Sequence, residues 1–575
     1  MRTFHTLTLV MGAIFTASAI RGEESRPRLF FNSDNGTPVL YYHKPPMTAE
    51  KMCRVLNDLK DLPVDVFLSC PQFADDSFIY PTKVAEVSDG RHVKPGQNEP
   101  EEFRQWRSNV RSMLELHIDP IAVQIHRAHE LGMQFWPTLR MNDIHKDWTD
   151  RWPSLRTPWE LQNVNLVIGK DFPDLYPVRT QQDFTWALDY AHQAVRDRKF
   201  AIIDEICTNY EVDGFELDFL RSVFFFLKSQ ERAGMPLMTD LVRRVRRRMD
   251  EIGRQRGKQL HLHVRVPPSI AECEQVGLDL RTWIKERLVD SITAQAPGYL
   301  DPVADIRGFV EAAKGTDIGI SGGLEYYVRD YGDSIQTNIA MLRAAAAAYW
   351  YQGAESLYLF NYDCHGPFPL RGEKRQALIE IADPQTLVHK DKHYFVTKDM
   401  DRVLPEDGGD KQLPFVLKRP GTEHRCSWIV GDDLAAAKDA DALKSVRVRV
   451  KFAKYNAATQ QVSCVFNGHT LPDEKIEANA ITFVDAPARQ GVNELTIALA
   501  GRTDNAAASL RIEGIELFIE YGKTTSEPPP ADRNAGTPID VGSHKQLFVD
   551  DKFLKLDQSS EGNFQRKQGT TPEDT

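Results

Sequence analysis

The stretch VDGFELDFLR (212–221) places two carboxylates inside an apolar run. Two Phe and one Leu alternate with Glu216 and Asp218. Successive side chains of a β-strand point to opposite faces, so this spacing predicts a strand with one apolar and one acidic face. The acidic face is a solvated surface, a buried ion-pair network, or a pair of groups placed for acid–base chemistry.

This stretch is one of eight short apolar runs separated by longer amphipathic segments. The runs are PVLYYH (38–43), VDVFLSC (64–70), MQFWPTLRMN (133–142), VDGFELDFLR (212–221), LHLHVRV (260–266), VDSITAQAP (289–297), DIGISGGLEYY (317–327) and SLYLFNYD (356–363). Alternating strands and helices predict parallel βαβ units, and eight repeats predict a closed (β/α)8 TIM barrel over about residues 30–385. An open doubly wound sheet is the alternative, but YYHKPP after the first run lacks its glycine-rich fingerprint.

The pattern changes in the C-terminal third. Short strand-like runs separated by Gly, Asp, Asn and Pro predict an all-β, jelly-roll-like sandwich over residues 400–521, with a carbohydrate-binding or structural role. Residues 522–575 read as a Pro-rich linker and a disordered polar tail.

The N-terminus has the order of a secretory signal peptide. Arg2 precedes the apolar run LTLVMGAIF, and Ala17-Ser18-Ala19 follows it, so residues 1–19 are predicted to be removed after Ala19. No later run is long enough to span a membrane. We therefore expect a secreted or periplasmic protein without a membrane span.

The charge pattern argues against a nucleic-acid partner. The net charge is −11, and the one Arg-rich segment, residues 241–258, has apolar residues at helical spacing. It therefore predicts an amphipathic helix with a charged outer face.

Extending the alternation to the other predicted strands collects polar residues inside the barrel. They are Arg140 and Asn142 on the third strand, Glu216 and Asp218 on the fourth, His261, His263 and Arg265 on the fifth, Gln295 on the sixth and Glu325 on the seventh. A carboxylate buried without partners costs several kcal/mol, so these groups require each other, a ligand, or both. A purely structural network would pair Arg265 with Asp218 and Arg140 with Glu216.

The alternation of side chains between the two strand faces (side-chain parity) defines the remaining candidates less tightly. His261 lies deeper in its strand and is expected to be a core histidine, whereas His263 is open to either interpretation. Tyr327, Asn361 and Asp363 follow strands seven and eight and are candidate ligand contacts at the rim.

The sequence lacks the motifs of several other classes of enzyme and binding protein. No GxSxG follows a strand and opens a helix, no HExxH, P-loop or EF-hand loop occurs, and the seven cysteines show no metal-binding spacing. We therefore expect neither a cofactor nor a metal. Carboxylates around a barrel mouth suit cleavage of a glycosidic bond, in which one acid protonates the leaving oxygen and the other attacks or activates water.

The pattern also resembles a known family. The eight-strand series is similar to the TIM barrels of glycoside hydrolases, and DGFELDFLR resembles the DG-x-x-x-D-[FY]-[IL]-R fourth strand of glycosyl-hydrolase-like proteins of bacterial secretomes. The resemblance covers roughly residues 35–520, and its sharp motif spans nine. In the large retaining clan of these barrels, acids ending strands four and seven are the acid/base and the nucleophile.

Carried onto this chain, the resemblance implies Asp218 and Glu325 as the catalytic pair. Glu216, one layer deeper, would tune pKa values or bind a substrate hydroxyl. The clan usually has Asn immediately before the fourth-strand acid, and here Phe215 and Leu217 stand there. The division of roles between the carboxylates therefore stays open.

We accordingly expect a secreted glycoside hydrolase that acts on a poly- or oligosaccharide. Its expected substrate contacts are Arg140, Asn142, His263, Arg265, Gln295, Tyr327, Asn361 and Asp363. The alternatives are a non-catalytic carbohydrate-binding protein on a degenerate barrel, and a polysaccharide lyase or esterase with His263 as base.

Overall fold

The computed structural model describes residues 27–522 with several internal gaps. The gaps are residues 95, 98, 144–154, 170–185, 297, 331–332, 365–369, 398–412, 458–459, 473–474, 478 and 502–508. The predicted signal peptide and the C-terminal tail lie outside the described residues, as does most of the segment that follows the third barrel strand.

The N-terminal domain contains thirteen described strands. They are β1 (Leu29–Ser33), β2 (Val66–Ser69), β3 (Gln72–Ala74), β4 (Ser77–Phe78), β5 (Glu86–Val87), β6 (Gln134–Arg140), β7 (Gly214–Asp218), β8 (His261–Val266), β9 (Ser291–Ala294), β10 (Gly319–Glu325), β11 (Tyr327–Asp330), β12 (Asp333–Gln336) and β13 (Ser356–Phe360). Eight of them close into a parallel barrel in the order β1-β13-β10-β9-β8-β7-β6-β2. This confirms the predicted (β/α)8 architecture.

Helices lie between the barrel strands. The described ones are α1 (Ala49–Met52), α2 (Arg54–Asp58), α3 (Glu101–Glu115), α4 (Pro120–Glu130), α5 (Pro158–Gln162), α6 (Gln193–Asn209), α7 (Glu231–Arg256), α8 (Ile270–Gln275), α9 (Leu280–Lys285), α10 (Arg307–Ala313), α11 (Ile339–Tyr351) and α12 (Glu373–Ile381). None of the helices in the described part of the chain combines the length and the apolar character needed to cross a bilayer.

The position of the first barrel strand differs from the prediction. The strand is LFFNS (Leu29–Ser33), whereas the predicted run PVLYYH overlaps a single helical turn at Gly36–Leu40. Pro38 has no N–H to donate to a strand ladder, and this disfavours a central strand at that place. The correction matters because the residue that follows β1 is Asp34.

Aspartates at the amino ends of the strands hold the register. The Asp65 carboxylate accepts from the N–H of Leu29 (2.9 Å), and the Asp213 carboxylate accepts from the N–H of Phe135 (2.9 Å). The Asp290 carboxylate accepts from the N–H of Leu262 near the start of β8. These carboxylates satisfy strand-end donors, so their role at this end of the barrel is structural.

Side-chain parity follows the prediction on the barrel strands. Phe215 and Leu217 of β7 belong to the core between strands and helices, as do the apolar residues of β8 and β10. A separate apolar cluster fills the lower barrel interior and consists of Phe30, Val66, Leu68, Trp136, Tyr358 and Phe360. Above and beside this cluster, the interior is polar.

The C-terminal domain consists of two antiparallel sheets. Its strands are β14 (Lys392–Val396), β15 (Phe415–Leu417), β16 (Glu423–Val430), β17 (Leu443–Phe452), β18 (Gln461–Phe466), β19 (His469–Leu471), β20 (Lys475–Glu477), β21 (Ala480–Phe483), β22 (Gly491–Gly501) and β23 (Leu510–Tyr521), with one helix, α13 (Leu434–Asp439), between β16 and β17. One sheet has the order β14-β23-β17-β21-β20 with β15 beside β23, and the other has the order β16-β22-β18-β19. The domain begins at β14, slightly before the predicted boundary at residue 400.

The two domains share helix α11. Ala345 and Ala346 pack in the barrel core, while Ala344 and Ala348 on the same helix belong to the sandwich core. Small side chains let the sandwich approach closely: a Cβ on Gly431 would lie 2.1 Å from the carbonyl oxygen of Ala347. The poly-alanine run therefore serves as packing surface for both domains.

A buried polar node lies at the same junction. The Lys392 ammonium contacts Asp432 at 2.7 Å, and the hydroxyls of Tyr394 and Tyr521 donate to the same carboxylate at 2.7 and 2.8 Å. All seven cysteines are buried, and none of them forms a disulfide.

Candidate active site

The lower polar layer of the barrel centres on Glu216. Its Oε1 accepts hydrogen bonds from the Thr138 hydroxyl, from the Tyr358 hydroxyl (3.0 Å) and from the Asn32 amide (3.5 Å). Burial raises the pKa of Glu216, and the neighbouring Asp218 charge acts in the same direction. Glu216 has no exposed surface and lies one layer below Asp218 in the strand register.

His263 lies beside Glu216 and is a structural residue. Its Nδ1 is 2.7 Å from the Ser291 hydroxyl, and its Nε2 is 3.0 Å from the Thr293 hydroxyl and 3.4 Å from Glu216. Burial lowers the pKa of His263 to about 3, so the ring is neutral. Because the ring is fully buried with both nitrogens engaged, the structure favours the core-histidine interpretation of His263 over a substrate contact or a base.

Asp218, at the carboxyl end of β7, forms a buried ion pair with Arg265. Arg265 binds it bidentately, with Nε to Oδ1 at 3.0 Å and Nη2 to Oδ2 at 2.9 Å. The backbone N–H groups of Leu220 and Arg221 also donate to Oδ1. A purely structural network would contain this ion pair, and a carboxylate that acts as nucleophile or base would also benefit from such a partner.

Arg265 connects Asp218 to the opposite side of the barrel. Its guanidinium lies 3.7 Å from the centre of the Phe360 ring on β13 and donates to Gln295 Oε1 at 3.2 Å. Gln295 packs directly over Gly323, where any side chain would collide with it. The Gln295 amide nitrogen is buried and has no hydrogen-bond partner among the described residues, so it can donate to a ligand.

Glu325 ends β10 and stands next to Phe360 in the strand register. Its Oε1 accepts from the N–H of Tyr326 at 2.9 Å, and the side chain is buried. Asp218 therefore contacts Arg265, and Arg265 contacts Phe360. Phe360 is in turn the strand neighbour of Glu325. The predicted carboxylate pair lies at the ends of two strands of the same mouth.

Arg140 does not pair with Glu216. Its Nη1 lies 3.1 Å from Asp143, and its Nη2 lies 3.7 Å from Asp34. Asp143 is itself held by its backbone N–H, which donates to Asp75 at 2.7 Å. Arg140 therefore joins the end of β6 to the end of β1.

Asn142 is engaged by loops, whereas Tyr327 packs in the core. The Asn142 amide nitrogen donates to the carbonyls of Leu188 and Phe224, and its oxygen accepts from the N–H of Leu188. The Tyr327 ring belongs to the core that surrounds the barrel and packs 5.3 Å from Tyr326. Asn142 therefore orders loops above the barrel, and a substrate contact of Tyr327 stays a prediction.

A second group of acids lies where β1 and β13 end side by side. Asn361 donates to Asp34 at 3.3 Å, and the Cys364 thiol lies 3.2 Å from Asp34 and 3.6 Å from Asp363. Burial raises the pKa of Asp363 to about 7, opposed by a hydrogen bond from Ser33 and reinforced by the Asp34 charge. We call Asp34, Asn361 and Asp363 the β1/β13 cluster.

Sequence reasoning missed Asp34 and Asp143. Asp34 directly follows β1, so recognition of LFFNS as the first strand would have found it. Asp143 directly follows Asn142 but belongs to the loop, where strand parity no longer applies.

No metal centre is evident at this mouth. Among the described residues, no group of three or more His, Cys, Asp or Glu side chains is arranged to hold a metal ion.

Comparisons with known proteins find similarity in architecture alone. No family model and no curated protein matches the chain. Similar solved structures include a cycloisomaltooligosaccharide glucanotransferase from Paenibacillus sp. (10% identity, 85% of this chain and 57% of that chain, TM-score 0.33). Others are α-L-fucosidase isoenzyme 2 from Paenibacillus thiaminolyticus (12%, 62% and 48%, 0.37) and the chitinase ChiW from Paenibacillus sp. str. FPU-7 (10%, 84% and 56%, 0.36).

The chain thus spans about half the length of the three solved structures named here. With identities of 10–12% and TM-scores below 0.5, this likeness assigns neither a family nor an activity. The barrel itself is established by the strand order of this chain.

Proposed function

We propose that the protein is a glycoside hydrolase that uses Asp218 and Glu325. The observation that supports this most strongly is the ion-paired Asp218 at the mouth of a closed parallel barrel that also carries the buried Glu325. Active sites of (β/α)8 enzymes lie at this carboxyl-terminal face.

The contacts support a division of roles. Asp218, bound bidentately by Arg265, attacks the anomeric carbon or removes a proton from the attacking water. Glu325 protonates the glycosidic oxygen as its bond to the anomeric carbon breaks, and Gln295 donates to a substrate oxygen through its unpartnered amide. Export, implied by the predicted signal peptide, would bring the enzyme to extracellular polysaccharide.

The test is hydrolysis by the purified full chain. Release of reducing sugar is measured on a panel of neutral polysaccharides and nitrophenyl glycosides, and NMR of the anomeric proton identifies the product configuration. Asp218→Asn and Glu325→Gln should each lower kcat about 100-fold or more, which is the usual contribution of a catalytic carboxyl group.

Exposed acids provide matched controls. Asp317→Asn, at the amino end of the same strand as Glu325, and Glu311→Gln should leave kcat unchanged, because both side chains lie on the surface. Thermal unfolding of every variant separates lost chemistry from lost folding. Full activity in well-folded Glu325→Gln would contradict the mechanism.

One observation favours a second candidate, a carbohydrate-binding protein without catalysis. Both carboxylate oxygens of Asp218 already have partners, so the group serves equally well as a structural anion. Glycan binding without cleavage of any panel member would support this candidate. A lyase with His263 as base has no support, since that ring is fully buried and both of its nitrogens lie within hydrogen-bond distance of the Ser291 and Thr293 hydroxyls.

A further inference from the structure

The β1/β13 cluster contains two hydrogen-bond acceptors that no described residue satisfies. Asp363 Oδ2 and Asn361 Oδ1 are buried and have no hydrogen-bond partner within the described part of the chain. Asp363 is 3% exposed and Asn361 6% exposed. A buried acceptor without a donor is costly, and native structures keep few such atoms, so a pair in neighbouring residues of one cluster needs an explanation.

The backbone holds these two residues in place. Asn361 adopts a left-handed conformation (φ 45°), its N–H donates to the carbonyl of Asn32 at 3.1 Å, and its carbonyl accepts from the N–H of Cys364 at 3.0 Å. The Asn361 amide nitrogen donates to Asp34, so the amide oxygen Oδ1 is the side-chain atom that remains for a ligand. The turn therefore holds both unsatisfied acceptors beside the mouth.

The cluster is reachable from solvent through Asp34. The Asp34 side chain is 23% exposed, whereas its neighbours in the cluster are nearly inaccessible. Its carboxylate contacts the Asn361 amide, the Cys364 thiol and Arg140. A ligand that reaches Asp34 would thus meet the two unsatisfied acceptors behind it.

The chemistry of these atoms selects the ligand. Acceptors take hydroxyl or ammonium donors, and a carboxylate pair repels anionic groups. Cations offset part of this acidic charge, since Arg140 pairs with Asp34 and Asp143, and the charges of Lys374 and Arg54 act on Asp363. The unsatisfied acceptor atoms, rather than the net charge of the cluster, therefore select a ligand that carries hydroxyl donors.

We propose that Asp34, Asn361 and Asp363 form a subsite that binds two adjacent hydroxyl groups of an uncharged sugar. One hydroxyl donates to Asp363 Oδ2 and its neighbour donates to Asn361 Oδ1, while Asp34 orients the Asn361 amide. The subsite rests on the carbohydrate substrate of the proposed function but not on its cleavage.

Binding is tested without turnover by saturation-transfer-difference NMR on the full chain. The probes are methyl glycosides of glucose, galactose, mannose and xylose, with methyl glucuronoside as the anionic counterpart. At least one neutral glycoside should bind, its ring protons next to two free hydroxyls should receive the strongest transfer, and the glucuronoside should bind more weakly.

Two variants remove one acceptor each. Asn361→Gly keeps the left-handed backbone and Asp363→Ala removes the carboxylate, and each should weaken binding about tenfold, as expected for one lost hydrogen bond. Asp441→Gly, at an exposed left-handed position in the sandwich, is the matched control for glycine and should bind like the wild type.

Stability separates a binding role from a structural one. Asp363→Ala should keep or raise the unfolding temperature, because it removes a buried and incompletely paired carboxyl group. Unchanged binding in both variants, no binding of any probe, or a crystal structure in which an ordered water alone satisfies both acceptors would each overturn the subsite. Cleavage with unaltered KM in the variants would leave the hydrolase proposal standing, and binding without cleavage would leave the subsite standing.

Discussion

The two domains fill their interiors with opposite kinds of residue. The sandwich core is apolar and includes Val448, Ile481 and Leu517, each without exposed surface. The barrel buries Asp218 and Arg265 almost completely at its centre. Replacing a buried ion pair with apolar residues is often neutral or stabilising, so the sandwich interior is the stabilising one and the barrel interior carries a cost. We expect the barrel to retain these destabilising charges because they form a binding or catalytic site.

The largest expected effect comes from breaking the barrel's central ion pair. Arg265→Met leaves the Asp218 charge buried with only backbone donors and should reduce the free energy of unfolding by about 3–5 kcal/mol, measured by urea denaturation. Adding Asp218→Leu removes the uncompensated charge and should recover most of the loss while the protein stays inactive. A double variant as unstable as the single one would show that the pair is needed for stability itself.

The next effect tests the sandwich core. Leu517, on the central strand β23, is fully buried, and Leu517→Ala should cost about 2–5 kcal/mol through lost burial and a cavity. Val492 is 41% exposed in the same domain, and Val492→Ala should change the free energy of unfolding by less than about 0.5 kcal/mol. Equal effects would mean that the sandwich is not held by its core.

The contact between the domains gives a smaller effect. Gly431→Ala forces a methyl group against the carbonyl of Ala347 and should cost about 1–3 kcal/mol by overpacking. Gly308→Ala on α10, where nothing lies within 4 Å, should be neutral or slightly stabilising. Both are measured by thermal unfolding, and a harmless Gly431→Ala would argue against close docking through α11.

The smallest effect at neutral pH is expected at Glu216, where the size of the effect depends on pH. Burial raises the Glu216 pKa, so the folded state keeps a proton that the unfolded chain releases above about pH 4. This group therefore lowers stability as pH rises from about 4 through neutrality, and Asp363 acts in the same way up to about pH 7. Glu216→Gln should match the wild type near pH 5 and exceed its unfolding temperature at pH 8.

A single control completes that measurement. Exposed Asp317→Asn should parallel the wild type across the same pH range. If Glu216→Gln is destabilised equally at every pH, the carboxyl group is needed as an anion and its raised pKa is not the cause.

Parity predicted much of the site because a strand has a fixed period of two. It placed Glu216, Asp218 and Arg265 in the interior, and the contacts of all three confirm that placement. It failed at Asp34, because Pro38 and its apolar neighbours looked more like a strand than the shorter LFFNS did. Arg140 was assigned to the correct face but to the wrong partner, since Asp143 and Asp34 lie in loops outside the strand pattern.

The amino-acid sequence by itself determined the eight-stranded barrel, the β domain that follows it, and which side chains point inward, because these depend on local periodicity. Only the tertiary structure decided which inward groups are satisfied. Asn142 is engaged by Leu188, 46 residues away, and Arg265 neutralises Asp218 across 47 residues, whereas Asn361 and Asp363 keep unsatisfied acceptors. Hydrogen bonds between segments distant in sequence leave no periodic signal, so VDGFELDFLR shows where its carboxylates lie but not which of them remain available to a ligand.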